Sequence, residues 1–172
     1  MDIHWRYVFT VSFGTLAAYG VSLLLPDILV SRNLTMTTLW VCISALFAAG
    51  RTFPETLELA KTRMIATTLG IGIAVPLFLI PQSDFALAVQ IFVGSLLCAA
   101  LGHLAKAGPH LRVAGITFLL VVILKPMRPD VSGWLFAFLR WSDSLIGCLL
   151  AIIVSRVVWI GTPIAKWAKN AS

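Results

Sequence analysis

Two charged side chains stand inside a long apolar stretch near the C-terminal end of the chain. Arg140 and Asp143 are three residues apart within the apolar segment 134–160, so a helix would place them on one face. A lone charge in such a segment is costly unless it is neutralised or faces a polar cavity, although Arg140 is close enough to the segment's start to be interfacial. A carboxylate in a dry site can bind a proton near neutral pH, which makes Asp143 a candidate carrier of a coupling proton.

A second basic cluster lies in the stretch 51–63, RTFPETLELAKTR. Thr52 can accept the N–H of Glu55 while the Glu55 side chain reaches back, and this capping box predicts the start of a helix. The stretch can be a solvated lead-in whose basic side chains reach out to a membrane surface. Alternatively, Arg51 and Arg63 form a cationic mouth for anions.

Shifting the chain against itself by 77 residues brings the two charged regions into register. The superposed pairs are Arg51 with Arg128, Arg63 with Arg140, Thr67 with Ser144, Gly70 with Gly147 and Ala74 with Ala151. Each copy would contain three apolar segments, and an odd number of spans forces the second copy to lie upside down relative to the first. Inverted repeats are typical of transporters. In that arrangement Arg128 and Arg140 would form a mouth for anions on the opposite side.

The hydroxyl and glycine residues near these arginines have two interpretations each. Thr67 and Ser144 could line a substrate pathway, but hydroxyls in apolar helices also bond to their own backbone carbonyls. Gly70 and Gly147 favour close helix packing, whereas a break of the third segment near Pro76 would free backbone groups for a ligand. The candidate pathway residues are therefore Arg51, Arg63, Thr67, Arg128, Arg140, Asp143 and Ser144.

The sequence contains no pattern typical of metal, nucleotide or hydrolase chemistry. His103 and His110 lack further metal ligands nearby, and the HExxH, GxxxxGK[ST] and GxSxG motifs are absent. The cysteines Cys42, Cys98 and Cys148 are isolated in apolar runs. We therefore expect no cofactor, no metal site and no enzymatic activity.

The composition indicates a membrane protein built from helices. Of 172 residues, 59% are hydrophobic and 12% charged, against roughly 45 to 50% and about 25% in soluble domains. The net charge of +6 is spread over short segments, so no nucleic acid partner is expected. A bilayer needs about 20 apolar residues per helix, and six segments approach that length: 8–25, 34–50, 64–80, 85–105, 113–124 and 134–160. The sequence predicts an all-α, polytopic membrane bundle of six transmembrane helices with a 3+3 inverted repeat.

The six segments form one transmembrane domain over residues 1–172, with half-repeats at about 1–80 and 81–172. Short loops rich in lysine and arginine stay in the cytoplasm. If the N-terminus is inside, nine of the thirteen basic residues are cytoplasmic: Arg6, Arg51, Lys61, Arg63, Lys106, Arg112, Arg156, Lys166 and Lys169. The other four are Arg32, Lys125, Arg128 and Arg140. We therefore expect a multi-pass protein with both termini in the cytoplasm.

Four stretches combine a tryptophan-containing span, a basic helix start and two later spans. They are LWVCISALF from Leu39, RTFPETLELAKTRMIATTLGIGIA from Arg51, AGITFLLVVI from Ala114 and FLRWSDSLIGCLLAIIVSRVVW ending at Trp159. Their order and spacing resemble those of the fusaric acid resistance and aromatic acid exporter group, which is related to plant aluminium-activated malate transporters. The family's R-x-x-[DST]-[ST]-x-x-G-like patterns are matched by Arg63, Thr67 and Gly70, and by Arg140, Asp143, Ser144 and Gly147.

The resemblance implies a six-helix domain that moves small organic anions, often aromatic carboxylates, outward across an inner cell membrane. It makes the basic residues of the second, third, fifth and sixth spans candidates for the pathway. Larger members add a cytoplasmic region or a second membrane half, so we expect this chain to form a homo-oligomer, most simply a homodimer. The residues leave two alternatives open, an anion channel and a non-transporting membrane subunit of a larger complex.

Overall fold

The computed structural model describes residues 5–24, 34–80, 83–104, 108–127 and 129–170, with side chains described over 7–21, 37–80, 83, 85–101, 113–127 and 129–158. Its helices are α1 (Trp5–Leu24), α2 (Leu34–Ala48), α3 (Phe53–Leu77), α4 (Asp84–Leu104), α5 (Gly108–Leu124) and α6 (Gly133–Asn170), with a short 3-10 helix at Lys125–Met127. No strand occurs in these ranges, so the predicted all-α class is confirmed. Each of the six predicted segments corresponds to one helix.

Helix α3 begins well before the third apolar segment. The N–H of Glu55 donates to Thr52 Oγ1 at 3.3 Å, and the N–H of Arg51 donates to Glu55 Oε2 at 2.7 Å, which confirms the predicted capping box. No proline follows this cap until Pro76, and the basic stretch and the apolar segment form one helix. It continues without interruption to Leu77, the residue after that proline.

The end of α3 receives a hydrogen bond from a side chain of α4. Gln90 is fully buried, and its Nε2 donates to the main-chain carbonyl of Leu77 at 3.0 Å. The last carbonyls of a helix have no partner within the helix, so the amide supplies one. At the start of α4, the N–H of Ala86 donates to Ser83 Oγ at 3.1 Å, which is an N-terminal cap.

The described helices are grouped into two compact units. Unit 1 consists of Met1–Lys61 with Asp143–Ser172, and unit 2 consists of Thr62–Ser142. Helices α3 and α6 therefore each contribute residues to both units. In unit 2, α4 packs along α5. In unit 1, small side chains let α1, α2 and α6 meet in an apolar cluster of Ala18, Val41, Ala45, Ile146 and Leu150.

Large apolar side chains lie exposed along the described helices. Phe85 and Phe92 of α4 are 80% and 71% exposed, while many threonines and serines are buried. A soluble monomer rarely exposes so much apolar surface, whereas lipid accommodates it. One helical stretch among the described residues, Gly133–Val158, is long and apolar enough to cross a membrane. Shorter apolar stretches are Tyr7–Val21, Thr37–Ala48, Phe85–Leu101 and Val113–Met127.

Within the residues whose side chains are described, length and composition thus single out one of the six predicted spans. For α2, α3 and α5, the length or the charge of the helix accounts for the difference. Helices α2 and α5 have 15 and 17 residues, which correspond to about 22 and about 26 Å at 1.5 Å per residue. A bilayer core is about 30 Å thick. Helix α3 is long enough, but its first half carries the charged residues Glu55, Glu58, Lys61 and Arg63.

A buried threonine joins the α2–α3 turn to α6 within unit 1. Thr56 Oγ1 accepts the N–H of Gly50 at 3.1 Å and hydrogen-bonds the carbonyl of Thr52 at 3.0 Å. It also shares a hydrogen bond with Ser155 Oγ at 3.1 Å. A hydroxyl has one proton and two lone pairs, so these three bonds use its full hydrogen-bonding capacity.

We expect Thr56→Val to destabilise the protein by about 1 to 3 kcal/mol, because valine leaves the buried N–H of Gly50 without its partner. The measurement is the unfolding midpoint of the purified protein in detergent under denaturant. The matched control is Thr62→Val, a half-buried threonine of the same helix, expected to change stability by less than about 0.5 kcal/mol. Equal effects of the two substitutions would contradict the structural role of Thr56.

Candidate functional site

Arg63 is the buried cation of the α3–α5 contact in unit 2. Its side chain is 2% exposed, and its Nη1 donates to Thr117 Oγ1 of α5 at 3.4 Å. Thr117 is fully buried. The distance is long for an N–H···O hydrogen bond, which is most often about 2.9 to 3.0 Å. The arginine therefore holds the hydroxyl only weakly.

Gly70 allows α3 and α5 to approach closely enough for this contact. A Cβ atom at Gly70 would lie 2.6 Å from the carbonyl oxygen of Ala114, 3.2 Å from Cβ of Thr117 and 3.0 Å from the backbone nitrogen of Phe118. Any larger residue would push against the backbone of α5, so glycine fixes which residues of α5 face α3.

Two adjacent threonines of α3 differ in their hydrogen bonds. Thr68 is exposed, donates to the carbonyl of Met64 at 2.9 Å and accepts Trp141 Nε1 at 3.1 Å. Thr67 is fully buried, and its Oγ1 has no hydrogen-bond partner among the residues that the structure describes. Thr67 lies one turn after Arg63, so both face the same side of α3.

Arg140 begins the charged part of α6 in unit 2. It is 5% exposed, and its guanidinium carbon lies 5.4 Å from the centroid of the Phe136 ring, within the range of a cation–π contact. The next residue, Trp141, stacks on Phe138 at 6.3 Å and bonds to Thr68 of α3. These contacts fix the start of α6 against α3.

Unit 1 holds the other two predicted pathway residues of α6. Asp143 is buried, 4% exposed, and Ser144 is fully buried. Ser44 Oγ of α2 donates to Ser144 Oγ at 3.2 Å. A Cβ atom at Gly147 would lie 2.4 Å from the carbonyl oxygen of Val41, 2.8 Å from Cβ of Ser44 and 2.9 Å from the nitrogen of Ala45.

The two glycine contacts have the same form. In each, the glycine lies against a carbonyl oxygen, a Cβ atom three residues later and a backbone nitrogen four residues later on the neighbouring helix. Gly147 follows Gly70 by 77 residues, whereas Ala114 follows Val41 by 73, one helical turn less. By this contact Ser44 corresponds to Thr117, and Ser144 to Thr67.

The remaining predicted pathway residues are not brought into these contacts. Arg51 is exposed at the α2–α3 turn, and Arg128 lies outside the described residues. Sequence analysis did not identify Trp141 as a neighbour of α3, although an indole beside an arginine in an apolar segment was a usable signal. Within the described ranges no three His, Cys, Asp or Glu residues group as metal ligands. The arrangement can bind an anion through N–H and O–H donors.

Comparison with known families identifies the chain. The sequence profile described as fusaric acid resistance protein-like matches residues 37–154, which contain most of α2 and α6 and all of the contacts described around Arg63 and Ser144. Comparisons with curated proteins and with solved structures give no match. The predicted family is thus confirmed, and the chain belongs to the fusaric acid resistance protein-like family of membrane transporter domains.

Proposed function

We propose that this protein exports small organic anions, in particular aromatic carboxylates, across the inner cell membrane. The observation that carries the proposal is the burial of Arg63 between apolar helices, against the hydroxyl of Thr117. A charge inside a membrane helix is costly and marks a substrate or ion pathway. A guanidinium is planar, remains charged at all physiological pH values and matches the two oxygens of a carboxylate.

The other pathway residues act around this cation. Arg140, buried against Phe136, attracts and orients the anion together with Arg63. Arg51 and Arg128 form the mouths at the two membrane surfaces. Asp143 carries a proton during the cycle, because it is a buried acid within a membrane helix and such residues form the proton relays of transporters. Thr67 and Ser144 line the pathway.

Six spans in a 3+3 inverted repeat form the scaffold of the transporter. The matching geometry of the Gly70 and Gly147 contacts supports this arrangement, because α3 would correspond to α6 and α5 to α2. The lengths of α1 and α4, 20 and 21 residues, are those of membrane-crossing helices. An inverted repeat suits a fixed substrate site that opens alternately to either side.

Both termini lie in the cytoplasm in this proposal, which the lysine and arginine distribution supports. The protein works as a homo-oligomer, most simply a homodimer. Its partners are the lipid bilayer, the organic anion and a second copy of itself.

The test is transport of benzoate by the purified protein in proteoliposomes, with and without a pH gradient, for the parent and for Asp143→Asn. We expect the parent to accumulate benzoate against its concentration only with the gradient. Asp143→Asn should lose this gradient-driven flux by roughly tenfold or more, because an amide does not carry a proton. It should keep benzoate exchange without a gradient, because the amide can still form hydrogen bonds.

The matched control is Asp130→Asn, an exposed aspartate in the turn before α6, which should behave like the parent. If benzoate flux through the parent depends on voltage and does not depend on the pH gradient, the protein is instead an anion channel. No flux in any condition, together with loss of a partner protein on deletion, would indicate a non-transporting subunit.

A further inference from the structure

The hydroxyl of Thr67 is the buried polar group that protein contacts leave unexplained. A threonine in a helix can bond the carbonyl four residues earlier, as Thr68 and Thr15 do at 2.9 and 2.8 Å. Thr67 is fully buried and makes no such bond, and its Oγ1 has no partner in the described part of the chain. An unsatisfied buried hydroxyl costs about 1 to 3 kcal/mol, and a ligand that bonds to it would remove this cost.

The groups around Thr67 are those that bind an anion. Arg63 precedes it by one turn on the same face of α3, and Gly70, three residues after Thr67, packs against Thr117. Arg63 reaches this same Thr117 through its Nη1. One guanidinium and two hydroxyls therefore face a single region of the α3–α5 contact.

In the corresponding contact of unit 1, the two hydroxyls are hydrogen-bonded to each other. Ser44 and Ser144 occupy the positions that match Thr117 and Thr67, and their Oγ atoms are hydrogen-bonded at 3.2 Å. In unit 2, Thr117 instead accepts from Arg63, and the Thr67 hydroxyl is left over. The two hydroxyls are therefore hydrogen-bonded to each other in unit 1, whereas the corresponding two hydroxyls in unit 2 are not.

We propose that Thr67 and Thr117 are the two hydroxyl donors of a carboxylate site whose cation is Arg63. This inference rests on the proposed function and specifies the ligand chemistry of that site. A carboxylate has four lone-pair positions, of which the guanidinium fork fills two and each threonine O–H fills one. Binding exchanges the long Arg63–Thr117 bond for charge-assisted bonds to the carboxylate, and it gives Thr67 its missing partner.

The test separates a ligand-binding role from a structural one, because the two roles move stability in opposite directions. Thr67→Val removes an unsatisfied hydroxyl, so the ligand-free protein should melt at or above the temperature of the parent. Its KM for benzoate in proteoliposomes should rise about tenfold or more, the usual effect of losing a hydrogen bond to a charged group, with little change in maximal rate. Thr67→Ser should restore the parent KM.

Thr68→Val is the matched control, since it removes the neighbouring hydroxyl, which faces outward and is already bonded. It should leave KM within about twofold of the parent. Thr67→Ala repeats the measurement without the second methyl group of valine. Equal KM values for Thr67→Val and Thr68→Val, or a lower melting temperature with unrestored KM in Thr67→Ser, would overturn the assignment. A parent that neither binds nor transports benzoate would instead overturn the proposed function.

Discussion

Arg63→Gln is expected to reduce benzoate flux in proteoliposomes by about a hundredfold, the equivalent of about 3 kcal/mol of lost binding to a charged group. Glutamine keeps polarity and much of the length but lacks the positive charge and the planar fork of donors. The substitution should also lower stability by about 1 to 3 kcal/mol, because Arg63 is buried and hydrogen-bonded to Thr117. Initial rates of flux and the unfolding midpoint in detergent measure the two effects.

The matched control is Lys61→Gln, an exposed base of the same helix two residues earlier, whose flux should stay within about twofold of the parent. Arg140→Gln should show a loss similar to that of Arg63→Gln, since both arginines are buried. Flux through Arg63→Gln as fast as through Lys61→Gln would remove Arg63 from the pathway.

Gly147→Ala is expected to destabilise the protein by about 2 to 3 kcal/mol, the range for inserting atoms into a packed contact that cannot relax easily. The new Cβ atom would lie 2.4 Å from the carbonyl oxygen of Val41 and 2.9 Å from the nitrogen of Ala45, both in the backbone of α2. Backbone atoms cannot rotate away as a side chain can. The fall in the unfolding midpoint in detergent measures the effect.

Gly72→Ala provides the control, because a Cβ atom there has no heavy atom within 4 Å. It should leave stability unchanged or raise it by up to about 1 kcal/mol, the helix propensity gained over glycine. Gly70→Ala should be destabilising for the same reason as Gly147→Ala, with a 2.6 Å approach to the carbonyl oxygen of Ala114. An unfolding midpoint of Gly147→Ala equal to that of the parent would mean that α2 and α6 lie further apart.

The helices could be predicted closely because their signals are local. Apolar runs gave the positions of all six, and the capping box at Thr52 identified the start of α3. The main differences are at helix ends: α3 includes the basic stretch before its apolar half, and α6 extends to Asn170 rather than to 160. Charged residues end an apolar run without ending a helix, since a helix needs no apolar face outside the bilayer.

The site could be predicted on one helix but not across helices. The spacing of Arg63, Thr67 and Gly70 places them on one face of α3, as helical periodicity requires. No local rule states that Thr117 lies opposite them, because the register between two helices is set by their packing. The offset of 73 rather than 77 residues between the two glycine contacts has the same origin. Gln90 could have been noticed as a lone amide in an apolar segment, which needs a buried partner.

The discontinuity of unit 1 sets the order in which the chain can be completed on the ribosome. Ser44 and Thr56 form their buried hydroxyl bonds with Ser144 and Ser155, which follow them by 100 and 99 residues. At roughly 5 to 20 residues per second, translation takes about 5 to 20 s to reach those partners. During that interval unit 2, which ends at Ser142, is synthesised in full. The hydroxyls of Ser44 in α2 and of Thr56 near the start of α3 lack their partners in α6 until α6 is made. Helix α6 is therefore the one that completes the first part of the chain.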